Sequence, residues 1–129
     1  MNIFLGIFYI LHGLVHLLYM GHSLNYFELE KGFIWPDNSK LLANIFSLKT
    51  KKILAGVLCI IATISFVVAG ICVLIGHSSW QQMEIIFPVI LSTLLFVTFW
   101  DGGSHKLHTQ GGIAIIINIL IFFVYLNRA

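Results

Sequence analysis

Charge is what this sequence has least of. Of its 129 residues, seven are Lys or Arg and five are Asp or Glu, so charged types make up 9% of the chain. A water-facing domain ordinarily carries about 25%. Too few charges are present to cover the surface of a soluble globule. Disorder is excluded as well, because it needs low hydrophobicity and high net charge, and here hydrophobic types reach 59% against a net charge of +2. Cysteine is equally scarce. Cys59 and Cys72 are the only two, and on one helix they would stand about 20 Å apart, too far for a disulfide. They read as small apolar packing residues. No basic stripe with interleaved aromatics points to nucleic acid. No P-loop, dinucleotide glycine turn, Ser-His-Asp order or zinc-type cysteine spacing is present, so no enzyme class is supported.

What the chain does have is four apolar runs, at about Ile3–Met20, Ile53–Ile75, Ile85–Trp100 and Ile113–Leu126. A membrane span needs roughly 20 apolar residues to cross about 30 Å of hydrocarbon. The second run meets this easily. The first and third meet it with their flanks, and the fourth is the shortest. Lipid offers no partner to a free backbone group, so the runs should be helices. They do not alternate as barrel strands would. The first run has no basic start and no small-x-small cleavage site, and it carries two histidines, so it reads as a retained span rather than a signal peptide. The expectation is an all-α, integral membrane four-helix bundle, forming a single domain over residues 1–129.

The few charges are unevenly placed. Lys31, Lys40, Lys49, Lys51 and Lys52 lie between the first two runs, and Lys106 lies between the last two; the opposite side has only Arg128. The excess of Lys and Arg marks the cytoplasmic face. The expected location is therefore a bacterial-type inner membrane, multi-pass, with N and C termini outside the cytoplasm.

The connection 21–52 is the one soluble-looking stretch. Asp37, Asn38 and Ser39 are capping residues. After them Leu41, Leu42, Ile45, Phe46 and Leu48 face Lys40, Asn44 and Ser47 at helical spacing. That pattern predicts a short interfacial amphipathic helix between spans 1 and 2. Trp35 is expected to anchor at headgroup depth. In the second run Ala55, Ala62 and Ala69 recur every seven residues, flanked by Gly56 and Gly70, which predicts a close-packing seam. Pro88 is expected to kink or start the third helix.

Six histidines stand out against so few polar groups. His12 and His16 are four apart and share a helix face with Tyr9, Tyr19 and Ser23. His12 would lie about 14 Å along its helix, near the bilayer midplane. Ionisable groups at that depth face a bundle interior or a wet cavity. Asn118, deep in the fourth run, is placed to hydrogen-bond to His12 or His16 and so fix an imidazole tautomer. His22 closes the first run at the cytoplasmic edge, and Asp101, His105 and His108 stand at the matching edge after the third. His12, His16, Tyr9, Tyr19 and Asn118 are thus the polar-pocket candidates. His22, Asp101, His105 and His108 are the metal candidates, since imidazoles with a carboxylate suit zinc, iron or copper.

Several fragments resemble a group of small four-span bacterial membrane proteins: Leu11-His12-Gly13-Leu14-Val15-His16-Leu17, Leu54-Ala55-Gly56-Val57-Leu58, Val68-Ala69-Gly70, Trp100-Asp101, and Gly112 leading to Asn118. A glycine-bearing first span, a long polar connection and three further spans are also similar in layout to the DoxX-like superfamily. That resemblance implies a four-span bundle, with some members tied to quinone-linked sulfur oxidation. His105 and His108 depart from it, and no catalytic role carries over.

Three functional readings stay open at this point. One is an accessory or redox-associated membrane component with a His/Tyr/Asp pocket open to the cytoplasm. The second is a metal- or haem-b-binding redox protein, with His12 or His16 as an axial ligand. The third is a small proton-coupled carrier. The partners implied are the lipid bilayer and a larger membrane complex or a second copy of the chain, and no nucleic acid.

Overall fold

Among the described residues four α-helices form: α1 (Ile3–Ser23), α2 (Leu48–Ile75), α3 (Gln81–Thr98) and α4 (Gly112–Leu126). The computed structural model describes residues 3–76, 81–104, 108 and 110–127, and no strand occurs among them. The chain is all-α. Each helix packs against the next in the sequence. Of the four, α1 with 21 residues and α2 with 28 are long and apolar enough to cross a membrane, while the apolar parts of α3 and α4 are shorter.

Small residues set the closest approach, between α1 and α2. The Ala55, Ala62 and Ala69 side chains are all buried on this helix, as the seven-residue repeat predicts. At Gly70 an added Cβ would stand 2.6 Å from the Gly6 carbonyl oxygen, and at Gly6 one would stand 2.9 Å from the Gly70 carbonyl oxygen. The two backbones touch there, as small residues in membrane helices allow. Farther along the seam, the Thr63 hydroxyl donates to the carbonyl of Gly13 at 3.0 Å and to that of Cys59 at 2.9 Å.

The other end of the fold turns on Gly111, which precedes α4 with φ of +88°. An L side chain resists that conformation by about 1–2 kcal/mol. The same position faces the Phe96 ring, which a Cβ would strike. Gly111→Ala is therefore expected to loosen α3 against α4 and lower the unfolding midpoint in detergent. A midpoint unchanged from wild type would contradict this packing. Pro88 lies inside α3 rather than at its start.

The connection 24–47 departs from expectation. No amphipathic helix forms between α1 and α2; residues 41–45 make turns, with Leu41 and Ile45 exposed. The capping hydroxyl is used, since Ser39 Oγ accepts from the Leu42 amide at 3.3 Å, but it also donates to the Thr98 carbonyl at 2.6 Å. The Lys40 amide donates to the Trp100 carbonyl at 2.9 Å. These bonds tie the segment to the end of α3. Only a few residues then remain before Ser47 caps α2 by accepting from the Thr50 amide, too few to sustain a helix against the cost of nucleation.

Trp35 is also not an exposed interfacial anchor. It is buried among Tyr19, Phe96 and Phe99, with ring centroids 5.2, 5.9 and 6.0 Å away. The connection folds back over the bundle end, and Trp35 is the plug.

Candidate functional site

The deep polar residues meet in one closed ring drawn from three helices. His12 Nε2 lies 2.9 Å from Asn118 Oδ1. Asn118 Nδ2 donates to Ser92 Oγ at 2.9 Å and to Thr93 Oγ1 at 3.1 Å. Ser92 Oγ lies 2.7 Å from His16 Nε2. His16 Nδ1 lies 3.0 Å from the His12 carbonyl oxygen.

Two backbone carbonyls determine every direction in this ring. A carbonyl only accepts, so His16 Nδ1 carries the proton and its Nε2 is left as an acceptor. Ser92 must then donate its single proton to His16, and it can only accept from Asn118. The Thr93 hydroxyl donates to the Val89 carbonyl at 2.8 Å, so it too accepts from Asn118. The amide nitrogen therefore faces both hydroxyls, and Oδ1 faces His12, whose Nε2 donates to it. As neutral rings, the two imidazoles hold opposite tautomers.

The walls are aromatic. The His12 ring meets Phe66 edge-on at 4.7 Å and lies parallel to Phe8 at 6.3 Å. His16 stands 5.5 Å from both Phe66 and Phe96. His16, Ser92 and Asn118 are completely or almost completely buried, and His12 nearly so. In such surroundings an unpaired polar group is costly, and a fully paired ring specifies one arrangement of helices.

The sequence-predicted residues divide as follows. His12, His16 and Asn118 come together. Tyr9 is buried one turn along α1, beside Phe66, Ala69, Val89 and Ile121. Tyr19 packs with Trp35 and Phe96 at the bundle end. His22 stands with its ring 4.5 Å from Phe33, and its Nδ1 accepts from the Leu29 amide at 3.4 Å. Asp101 is a loop organiser: Oδ2 accepts from Gln110 Nε2 at 2.7 Å, Oδ1 accepts from the Gly103 amide at 2.7 Å, and the Asp101 amide donates to Gln110 Oε1 at 3.0 Å. His108 is exposed, and His105 lies outside the described residues. Among the described residues no three His, Cys, Asp or Glu side chains are grouped to hold a metal ion.

Three members of these networks were not anticipated. Ser92 and Thr93 sit in an apolar run where a hydroxyl ordinarily bonds to its own helix, and nothing in the sequence separates that use from the present one. Gln110 lies among glycines, nine residues after its partner. Removing that partner should open the loop. Asp101→Ala is expected to speed tryptic cleavage after Lys106 several-fold in the detergent-solubilised protein, with α1 and α2 left intact. An unaltered cleavage rate would show that the Asp101–Gln110 pair does not hold the connection.

Comparison with family models, with curated proteins and with solved structures finds no match to this chain.

Proposed function

We propose that this chain is a four-span integral protein of a bacterial-type inner membrane, acting as an accessory component of a membrane assembly, with its deep histidines serving as an interhelical lock. The closed ring of His12, Asn118, Ser92 and His16 carries this reading. Haem or metal ligation needs an imidazole lone pair. In the ring both nitrogens of His16 and Nε2 of His12 are committed, which leaves only His12 Nδ1. Haem b or a metal ligated by His16 would require breaking the lock.

Membrane insertion of all four helices is supported by where the apolar surface lies. Phe4, Leu11, Leu18, Ile64, Ile71, Phe87, Leu94, Ile116, Ile119 and Phe123 are all exposed on outer faces. Apolar continuity of that extent is foreign to a water-facing monomer. The helix α4, with 15 residues, reaches about 22 Å at 1.5 Å per residue, short of the hydrocarbon thickness. Local thinning of the bilayer or partner contacts accommodate such a mismatch at modest cost. Lys49, Lys51 and Lys52 near the start of α2 support a cytoplasmic position for that end and for the Trp35 plug. The DoxX-like layout belongs to the same proposal.

The test is an absorption spectrum and metal analysis of protein purified from metal- and haem-replete cells, together with identification of co-purifying membrane proteins. Colourless protein without stoichiometric metal is the expected result. A Soret band or one metal per chain that His16→Leu removes would overturn the lock reading.

A further inference from the structure

The plugged end of the bundle lies apart from the ring. A cavity of about 320 Å³ lies under the first connection, lined by His22, Asn25, Phe27, Glu28, Phe33, Trp35, Asp37 and Lys52. Ligand pockets usually run from about 300 to 1,000 Å³, so this one has room for a small polar head and not for a cofactor of haem size.

The side chains around it have unmet demands of both kinds. Among the buried side-chain polar atoms of the described residues, Trp35 Nε1 and Asp37 Oδ1 are the two without a hydrogen-bond partner, and both residues line this cavity. Trp35 is only 2% exposed. A buried donor or acceptor left unpaired is rare and costs about 1–3 kcal/mol. One orphan is a donor and the other an acceptor, so a single occupant satisfying both must offer an acceptor and an N–H or O–H.

Charge narrows the class. Lys52 Nζ stands 3.5 Å from Asp37 Oδ2 and donates to Asn25 Oδ1 at 3.0 Å. Lys51, which is outside the lining, donates from Nζ to the Asp37 carbonyl at 3.2 Å. With Glu28 also in the lining, one lysine, Lys52, and two carboxylates, Asp37 and Glu28, face the space. Groups of both signs on one cavity suit a zwitterion better than a simple anion or cation. The rings of Phe27, Phe33 and Trp35 add faces that attract an ammonium group.

We propose that this cavity binds a phosphoethanolamine-type group, the ammonium donating to Asp37 and the phosphate oxygens accepting from Lys52 and Trp35. The chemistry is shared by a lipid headgroup and by a free aminoalkyl phosphate. A choline head is disfavoured, because its quaternary nitrogen has no N–H to give the Asp37 oxygen.

The full chain in detergent micelles is titrated with phosphatidylethanolamine and phosphatidylcholine of matched acyl chains and read by native mass spectrometry. Phosphatidylethanolamine is expected to be retained about tenfold better, as one charge-assisted hydrogen bond would give. Asp37→Asn should reduce that preference severalfold, and Glu28→Gln, at an exposed position that the fold does not lean on, should weaken it more mildly. Displacement by soluble phosphoethanolamine would identify the free compound as a ligand; retention of the lipid against it would identify the membrane as the source. Equal retention of the two lipids, or no retention of either, overturns the proposal. The lipid arm rests on the membrane reading, yet the failures differ. A chain that does not insert into vesicles contradicts membrane insertion, and an inserted chain with no headgroup preference contradicts this site alone.

Discussion

Asn118→Leu is expected to destabilise the folded protein by about 1–3 kcal/mol, the cost of leaving a buried polar group unpaired. The loss falls on one atom in particular. Ser92 and Thr93 keep acceptors for their own protons, in His16 and in the Val89 carbonyl. The His12 Nε2 proton, by contrast, has Asn118 Oδ1 as its partner and is walled by Phe8 and Phe66. Interhelical hydrogen bonds in membranes average only about 0.6 kcal/mol in double-mutant cycles, because the separated helices find other partners. The enclosure of this ring puts the expected effect above that average. The pair can be separated from mere loss of volume. His12→Leu combined with Asn118→Leu removes both partners, and the double variant should be less destabilised than the sum of the two single ones. Reversible unfolding in mixed micelles, followed by circular dichroism, measures this. Strict additivity would show that the two residues do not interact.

The second large effect is expected at Gly70. A Cβ there would stand 2.6 Å from the Gly6 carbonyl oxygen and 2.6 Å from Ile10 Cγ1. The first obstacle is backbone, so relief requires α1 and α2 to separate. Overpacking of this kind costs about 1–3 kcal/mol. Gly56 provides the comparison within the same helix. A Cβ at Gly56 would meet Leu24 Cγ at 2.9 Å, and Leu24 belongs to the connection beyond α1, where a side chain can turn aside. Gly70→Ala should therefore lower the unfolding midpoint clearly more than Gly56→Ala. Equal effects at the two positions would contradict the close backbone contact between Gly6 and Gly70.

Much of this was readable from residue types alone, for physical reasons. The four helices fall on the four apolar runs, as a hydrocarbon setting would require of them. The alanine repeat in the second run is visible because only small residues permit close approach. The meeting of His12 with Asn118 was legible because a deep polar group in an apolar chain has few possible partners. The rest was hidden by competing uses of the same residues. Ser39 looked like the cap of a helix, and it does accept from the Leu42 amide, yet its proton goes to Thr98 and the chain turns instead. Trp35 looked like an interfacial anchor, and only the clustering of Tyr19, Phe96 and Phe99 draws it inside. The pairing of Asp101 with Gln110 was hidden because Gln110 is an unremarkable loop residue in sequence. Boundaries shifted for a similar reason. The apolar run predicted for the second span starts at Ile53, but α2 starts at Leu48, where Ser47 supplies the cap.

The ring formed by His12, Asn118, Ser92 and His16 joins three helices and carries the proposed role. Nitrogen-15 spectroscopy of histidine-labelled protein in bilayers reads the imidazole tautomers directly, with His12→Leu and His16→Leu used for assignment. His12 protonated on Nε2 and His16 protonated on Nδ1, with both rings neutral, is the result expected. A common tautomer for the two residues, or a resonance from either shifted by a coordinated metal, would contradict it.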